Sequence, residues 1–231
     1  ENGLASTAVD DLIIDDKQRI WISHNDTKVL SVIDQSEGII KQLVFAQGIY
    51  NGGTNAIFED SKEQVWISQN GIYLFNEKKE STKRLAFNKG LSGLAGTFLE
   101  DDDGLIWVST NSGLDIIDEK NGTIKHILLK GITGTEIANL LKDQNGNIWI
   151  GTIGNGLFMV NTAASTITSF TETNGLANEV LYSINERNGA IYAATGKGLA
   201  VISPIHKEYG DSNNLLSWDI KNYGKSQGFL R

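Results

Sequence analysis

Apolar and polar residues alternate along this chain in short bursts, each ended by a turn signal. Glu136 to Leu141 alternates and runs into Asp143-Gln144-Asn145-Gly146, a hairpin signal with glycine where a positive φ is needed. Asn147 to Thr152 follows as a run of β-branched and aromatic residues, the composition of a buried strand. Gly154-Asn155-Gly156 turns the chain into Leu157 to Val160. After a polar stretch, Ser165 to Phe170 alternates again, and Asn174-Gly175-Leu176 starts a new series. No segment carries the 3.6-residue period of a helix. The pattern predicts four short antiparallel strands and then a fresh start.

That fresh start recurs. Trp21, Trp66, Trp107 and Trp149 are spaced by 45, 41 and 42 residues, and 43 more reach Tyr192. Six residues before each aromatic stands an acid: Asp15, Asp60, Asp101, Asp143 and Glu186. Three before it come Gln18, Glu63, Gly104, Gly146 and Gly189; two after it, always a small residue: Ser23, Ser68, Ser109, Gly151 and Ala194. A glycine followed by Leu or Ile (Gly3, Gly48, Gly90, Gly131, Gly175) opens each copy 17 or 18 residues upstream. A unit of four strands in about 43 residues has the period of a β-propeller blade. The expected fold is therefore all-β, one propeller segment over 1–231. Its blades lie near 5–47, 50–89, 92–130, 133–174 and 177–222, and a sixth repeat starts at 223–231. In the fifth copy an insertion around Pro204 to Asn214 delays the outer strand to Leu216, Trp218 and Ile220. An open array would expose strand edges and apolar faces, so five blades within a six- to eight-bladed ring are expected, with a self-closed five-blade ring as the alternative.

Composition narrows the partners. Of 231 residues 40% are hydrophobic and 21% charged, enough for a packed core. Twenty basic against 28 acidic residues give a net charge of -8, which argues against nucleic acid or an anionic membrane as partner. No apolar run is long enough to span a bilayer. With no cysteine, disulfides and thiolate chemistry are excluded, a composition that suits cytosol and periplasm alike.

The fourth copy, Asp143-Gln-Asn-Gly-Asn-Ile-Trp-Ile-Gly-Thr152 followed by Gly156-Leu157, resembles the two-component regulator propeller repeat. The third copy (Asp101 to Thr110, Gly113-Leu114) is close, the fifth has Tyr for Trp, and the first two lack the turn glycine and the Gly-Thr pair. The resemblance implies an extracytoplasmic, periplasmic sensor segment of a bacterial hybrid two-component protein, non-catalytic in itself and responsive to a saccharide. It also implies further blades and downstream domains elsewhere in the full-length protein. A WD-repeat reading fails, since Trp218-Asp219 is out of phase with the other tryptophans.

Candidate chemistry is sparse. The aromatic column (Trp21, Trp66, Trp107, Trp149, Tyr192) could stack on sugar rings, but its place between apolar neighbours reads as core packing between blades. Asp101-Asp-Asp-Gly104 and Asp143 to Asn147 do not match calcium-loop spacing, so acidic hairpin turns are expected and no metal or cofactor is. His24, His126 and His206 have no ligand spacing. Antiparallel strands put the Gly-Leu joints and the turns after each central strand on one face. There His24, Asn25, Gln69, Asn70, Thr110, Asn111, Thr152 and Thr195 would gather, with Tyr50 and Asn51 as an aromatic rim. Such groups suit a neutral oligosaccharide, against the simpler reading that each satisfies its own turn. Two other functions remain open at this point: a scaffold docking a partner or a second copy of the chain, and a propeller lyase or hydrolase with a His–acid pair.

Overall fold

A computed structural model of the chain describes residues 3–24, 26–27, 29–44, 56–69, 71–76, 81–85, 90–127, 137–205 and 217–224. They form five four-stranded antiparallel sheets, each with its strands hydrogen-bonded in chain order. The first comprises β1 (Val9–Ile14), β2 (Arg19–His24), β3 (Val29–Asp34) and β4 (Ile39–Val44). The second comprises β5 (Ala56–Glu59), β6 (Val65–Gln69), β7 (Gly71–Asn76) and β8 (Ser81–Arg84). The third has β9 (Ala95–Glu100), β10 (Ile106–Thr110), β11 (Gly113–Asp118) and β12 (Thr123–Ile127). The fourth has β13 (Ile137–Lys142), β14 (Ile148–Thr152), β15 (Leu157–Asn161) and β16 (Thr166–Phe170). The fifth has β17 (Leu181–Arg187), β18 (Ala190–Thr195), β19 (Gly198–Ile205) and β20 (Ser217–Tyr223). One short 3-10 turn, Glu172–Asn174, is the helix present among the described residues. The chain divides into two compact units, residues 1–134 with sheets one to three and 135–231 with sheets four and five.

The spacing of six between acid and tryptophan has a direct cause. The indole N–H of Trp21, Trp66, Trp107 and Trp149 donates to Asp15, Asp60, Asp101 and Asp143 at 2.8, 2.7, 2.7 and 2.8 Å. The other carboxylate oxygen accepts the backbone N–H four residues on, at Arg19, Gln64, Leu105 and Asn147. One buried carboxylate thus closes the β-hairpin and fixes the ring that packs against it. Burial alone would raise the Asp15 carboxyl. The Trp21 indole and the Arg19 backbone and guanidinium outweigh it and hold this group below the usual carboxylate range.

The residue three before each aromatic has a conformational role. Gln18, Glu63, Gly104, Gly146 and Gly189 all have positive φ: 61°, 59°, 75°, 75° and 76°. Two copies place a side chain where glycine is at ease, at a cost of about 1 kcal/mol each. Gln18→Gly and Glu63→Gly should each stabilise the chain by about that amount in a denaturant titration, since both side chains are exposed.

Trp21, Trp66 and Trp149 turn one face of their sheets, here called the trailing face, toward the next sheet of the same unit. Trp21, Leu30 and Val32 pack on Ile57, Val65, Ile67 and Tyr73. Trp66 and Ile72 pack on Phe98, Ile106, Val108, Ile117 and Ile124. Trp149, Leu157, Met159 and Phe170 pack on Leu181, Ile184, Ile191, Ala193, Ala200 and Ile202. All four tryptophans are at most 2% exposed, Trp107 included. At the rim of the same junctions, a glutamate at the end of the next sheet's first strand accepts a hairpin N–H: Glu59 from Asp16, Glu100 from Ser61, Glu186 from Gln144.

The fifth copy departs from the expected column, and the register says why. Glu186 pairs with Ile191, the residue before Tyr192, just as Glu59 pairs with Val65 and Glu100 with Ile106. Glu186 therefore belongs with the rim glutamates and not with the tryptophan-binding aspartates. The fifth hairpin turns through two residues, Asn188 and Gly189, both at positive φ, where the fourth uses three. Nor is Tyr192 a core residue: it is 37% exposed on the trailing face of the fifth sheet. The face toward the fourth sheet is instead lined by its neighbours Ile191 and Ala193.

Candidate functional site

The expected polar face can be followed residue by residue. Asn25, Tyr50, Asn51 and Asn70 lie outside the described residues, and Gln69 ends β6. Thr110, Thr152 and Thr195 are buried at the ends of β10, β14 and β18. Each hydroxyl donates to the carbonyl of the glycine beyond the turn, Gly113, Gly156 or Gly198, at 3.1, 2.7 and 2.9 Å. Each also accepts a backbone N–H within the turn, from Ser112, Asn155 or Lys197. These threonines satisfy their own turns, because a β-turn leaves backbone groups that a short hydroxyl can reach. His24 is fully buried, with Nε2 2.9 Å from Ser31 Oγ and Nδ1 without a partner among the described residues. Asn111 is exposed, and its Oδ1 accepts the Leu94 N–H at 2.8 Å.

Joints and turns do come together. In the third sheet Ser92 Oγ lies 2.8 Å from Thr110 Oγ1, and Leu94 is held by Asn111. In the first, Ser6 donates to Asp26 at 2.8 Å. In the second unit the Glu172 carboxylate accepts from Lys197 Nζ at 3.1 Å and from Asn178 Nδ2 at 3.0 Å. These two donors hold Glu172 below the usual carboxylate range, so it presents an anion at neutral pH. Asn178 Oδ1 also accepts the Val180 N–H. With Glu172 and Lys197 exposed and Asn178 half-buried, the group offers a carboxylate, an ammonium and an amide within one patch.

A second set of residues was not singled out from the sequence: those that clamp the joints. Directly opposite one another in the third and fourth strands stand Ser31 and Gln42, Asp115 and His126, and Ala200 and Asn222. Ser31 accepts the Ala5 N–H and Gln42 donates to the Gly3 carbonyl, at 2.9 and 3.0 Å. Asn222 takes both roles at the fifth sheet, accepting from Ala177 and donating to the Gly175 carbonyl, at 3.1 and 2.8 Å. Buried Asp115 accepts the Ser92 N–H at 2.7 Å, with His126 Nδ1 2.7 Å from its other oxygen. At the described joints after Gly3, Gly90 and Gly175, the Gly-Leu signal thus marks a backbone that a polar side chain grips. One sequence clue was available: Asp115 is a lone charge within the apolar run Leu114 to Ile117.

Comparison with known proteins agrees with this repeat. Residues 131–154 match the family described as "Two component regulator propeller". That match covers one copy of the repeat, the fourth. A 100-residue stretch is 30% identical to histidine kinase P4 of Formosa agariphila, spanning 38% of this chain and 7% of that protein. The fold is similar to the extracellular domain of the putative hybrid two-component system BT4673 of B. thetaiotaomicron. That likeness has a TM-score of 0.72 and 22% identity, covering 97% of this chain and 32% of that one. It is also similar to virginiamycin B lyase of Staphylococcus aureus, with TM-score 0.70 and 16% identity over 92% of this chain and 70% of the lyase. The chain thus spans about a third of the sensor domain it resembles and a small part of the kinase. Among the described residues, no helix is long and apolar enough to cross a membrane, and no cluster of three His, Asp or Glu residues could hold a metal ion.

Proposed function

We propose that this chain is a ligand-sensing part of an extracytoplasmic two-component sensor, acting by binding without chemistry, and that its ligand is a saccharide. One observation carries the reading: a two-component regulator repeat in a chain whose fold matches the extracellular domain of a hybrid two-component system. The polar groups beside the joints support a saccharide. Asn111 on one unit, and Glu172, Asn178 and Lys197 on the other, supply amide, carboxylate and ammonium groups of the kind that bind sugar hydroxyls. A bound sugar would act through its differential affinity for two arrangements of the sensor.

Calorimetric titration with neutral oligosaccharide fragments tests this. Saturable binding is expected, weakened about tenfold in Asn111→Ala or Lys197→Ala, the loss of one hydrogen bond to a ligand. Absence of binding across a broad panel, or unchanged affinity in both variants, would remove the saccharide.

The lyase reading has one observation in its favour, the His126–Asp115 contact. Asp115 is fully buried, however, and already takes the Ser92 N–H that anchors a joint. The pair therefore works as a clamp, and no lyase activity is expected when the chain is incubated with virginiamycin B.

A further inference from the structure

An asparagine followed by glycine is open to attack by its own chain, because glycine brings no Cβ to shield the next backbone nitrogen. Five such pairs lie wholly within the described residues: Asn121-Gly122, Asn145-Gly146, Asn155-Gly156, Asn174-Gly175 and Asn188-Gly189. In four of them the glycine N–H is already engaged. Gly122, Gly146, Gly156 and Gly175 donate to the carbonyls of Glu119, Asp143, Glu179 and Glu172 at 3.2, 3.0, 2.9 and 3.4 Å. Two of these asparagines are also tied by their amides, Asn121 to the Asp118 carboxylate and Asn174 to the Ser169 carbonyl.

The fifth pair differs. Its hairpin closes between Arg187 and Ala190 through two residues, both at positive φ, the type I′ turn that Asn-Gly favours. Neither the Gly189 N–H nor the Asn188 amide has a partner among the described residues. Asn188 is exposed, as are the tips of hairpins that have a following sheet, Asp16 and Lys17 in the first and Ser61 and Lys62 in the second. At those junctions the following sheet takes the N–H of Asp16 or Ser61. The N–H of the third residue before the tryptophan stays within its own turn, Gln18 and Glu63 donating to the carbonyls of Asp15 and Asp60. The open nitrogen at Gly189 thus comes from the shortened turn itself.

We propose that this turn makes Asn188 the first of the five to deamidate spontaneously. The Gly189 nitrogen loses its proton to hydroxide and bonds to Asn188 Cγ. The Cγ–Nδ2 bond breaks, and the amide nitrogen takes a proton from water and leaves as ammonia. Water then opens the cyclic imide at either carbonyl, giving aspartate or isoaspartate at position 188. Both products add a negative charge close to Glu186, and isoaspartate also adds a methylene to the main chain of a two-residue turn. Gln144 Nε2 lies 2.9 Å from the point where a Cβ on Gly189 would stand, so the longer turn has to displace that side chain. The change therefore acts on the rim where Glu186 accepts the Gln144 N–H.

Incubation of the folded chain at mildly alkaline pH, followed by peptide mapping and enzymatic methylation of isoaspartate, tests the proposal. Asn188 should deamidate about tenfold faster than the other four asparagines, the factor withheld where a turn hydrogen bond must break first. In denaturant the five should react at similar rates, since no turn survives to protect any of them. Asn188→Gln, which would have to close a larger ring, should lose the leading product and leave the others unchanged. Equal rates at all five sites in the folded chain, or a lead elsewhere among them, would overturn the proposal. So would a lead at Asn188 that persists in denaturant, because it would then owe nothing to the turn.

Discussion

Asp143→Ala is expected to lower the unfolding free energy by about 3–5 kcal/mol, read from the midpoint of a denaturant titration. The carboxylate is buried and accepts from the Trp149 indole at 2.8 Å and from the Asn145 and Asn147 backbone and the Asn147 amide at 2.9 Å each. Alanine leaves these donors buried without an acceptor, and it frees the ring that packs between the fourth and fifth sheets. Asp143→Asn keeps one carbonyl oxygen and should cost less than alanine. Glu186→Ala supplies the contrast. That glutamate is no member of the tryptophan-binding column and takes a single exposed N–H, so its loss should cost less than about 1 kcal/mol. Equal losses at Asp143 and Glu186 would contradict the assignment.

Gly156→Ala is expected to cost about 2–4 kcal/mol, the sum of strain in a left-handed conformation and displacement of an edge strand. Gly156 has φ +78°, and a Cβ there would run into the Phe170 carbonyl oxygen. Backbone cannot rotate aside as a side chain would, so β16 must shift and loosen Phe170, which stacks on Trp149 with centroids 5.4 Å apart. Gly198 repeats the arrangement against Tyr223 of β20. Gly90→Ala is the control: a Cβ there meets nothing within 4 Å among the described residues and its φ is not in the positive region. Thermal melts should rank Gly156→Ala far below Gly90→Ala; similar melting temperatures would show that the turn adapts.

The candidate site was less legible than the fold. A lone Thr or Asn after a central strand reads equally as a ligand group or as its turn's own hydrogen-bond partner. At Thr110, Thr152 and Thr195 the backbone lies within reach and takes the hydroxyl. The clamps at Ser31, Asp115 and Asn222 escaped the sequence reading because their partners are backbone atoms 23 to 47 residues away. Nothing in a repeat column distinguishes a residue that grips a distant carbonyl from one that faces water.

By itself the sequence determined the four-strand module, its five-fold repetition and the burial of its tryptophans. All of these rest on local periodicity and on contacts within a hairpin, such as Asp101 to Trp107. Only the tertiary structure decided that Glu186 joins the rim acids, that Tyr192 faces solvent, and which polar side chains hold the joints. Those outcomes depend on register and on which face of a sheet a neighbour covers. A one-residue change in the turn moves Glu186 along the register, and an uncovered face leaves Tyr192 exposed, and neither disturbs the spacing of the letters.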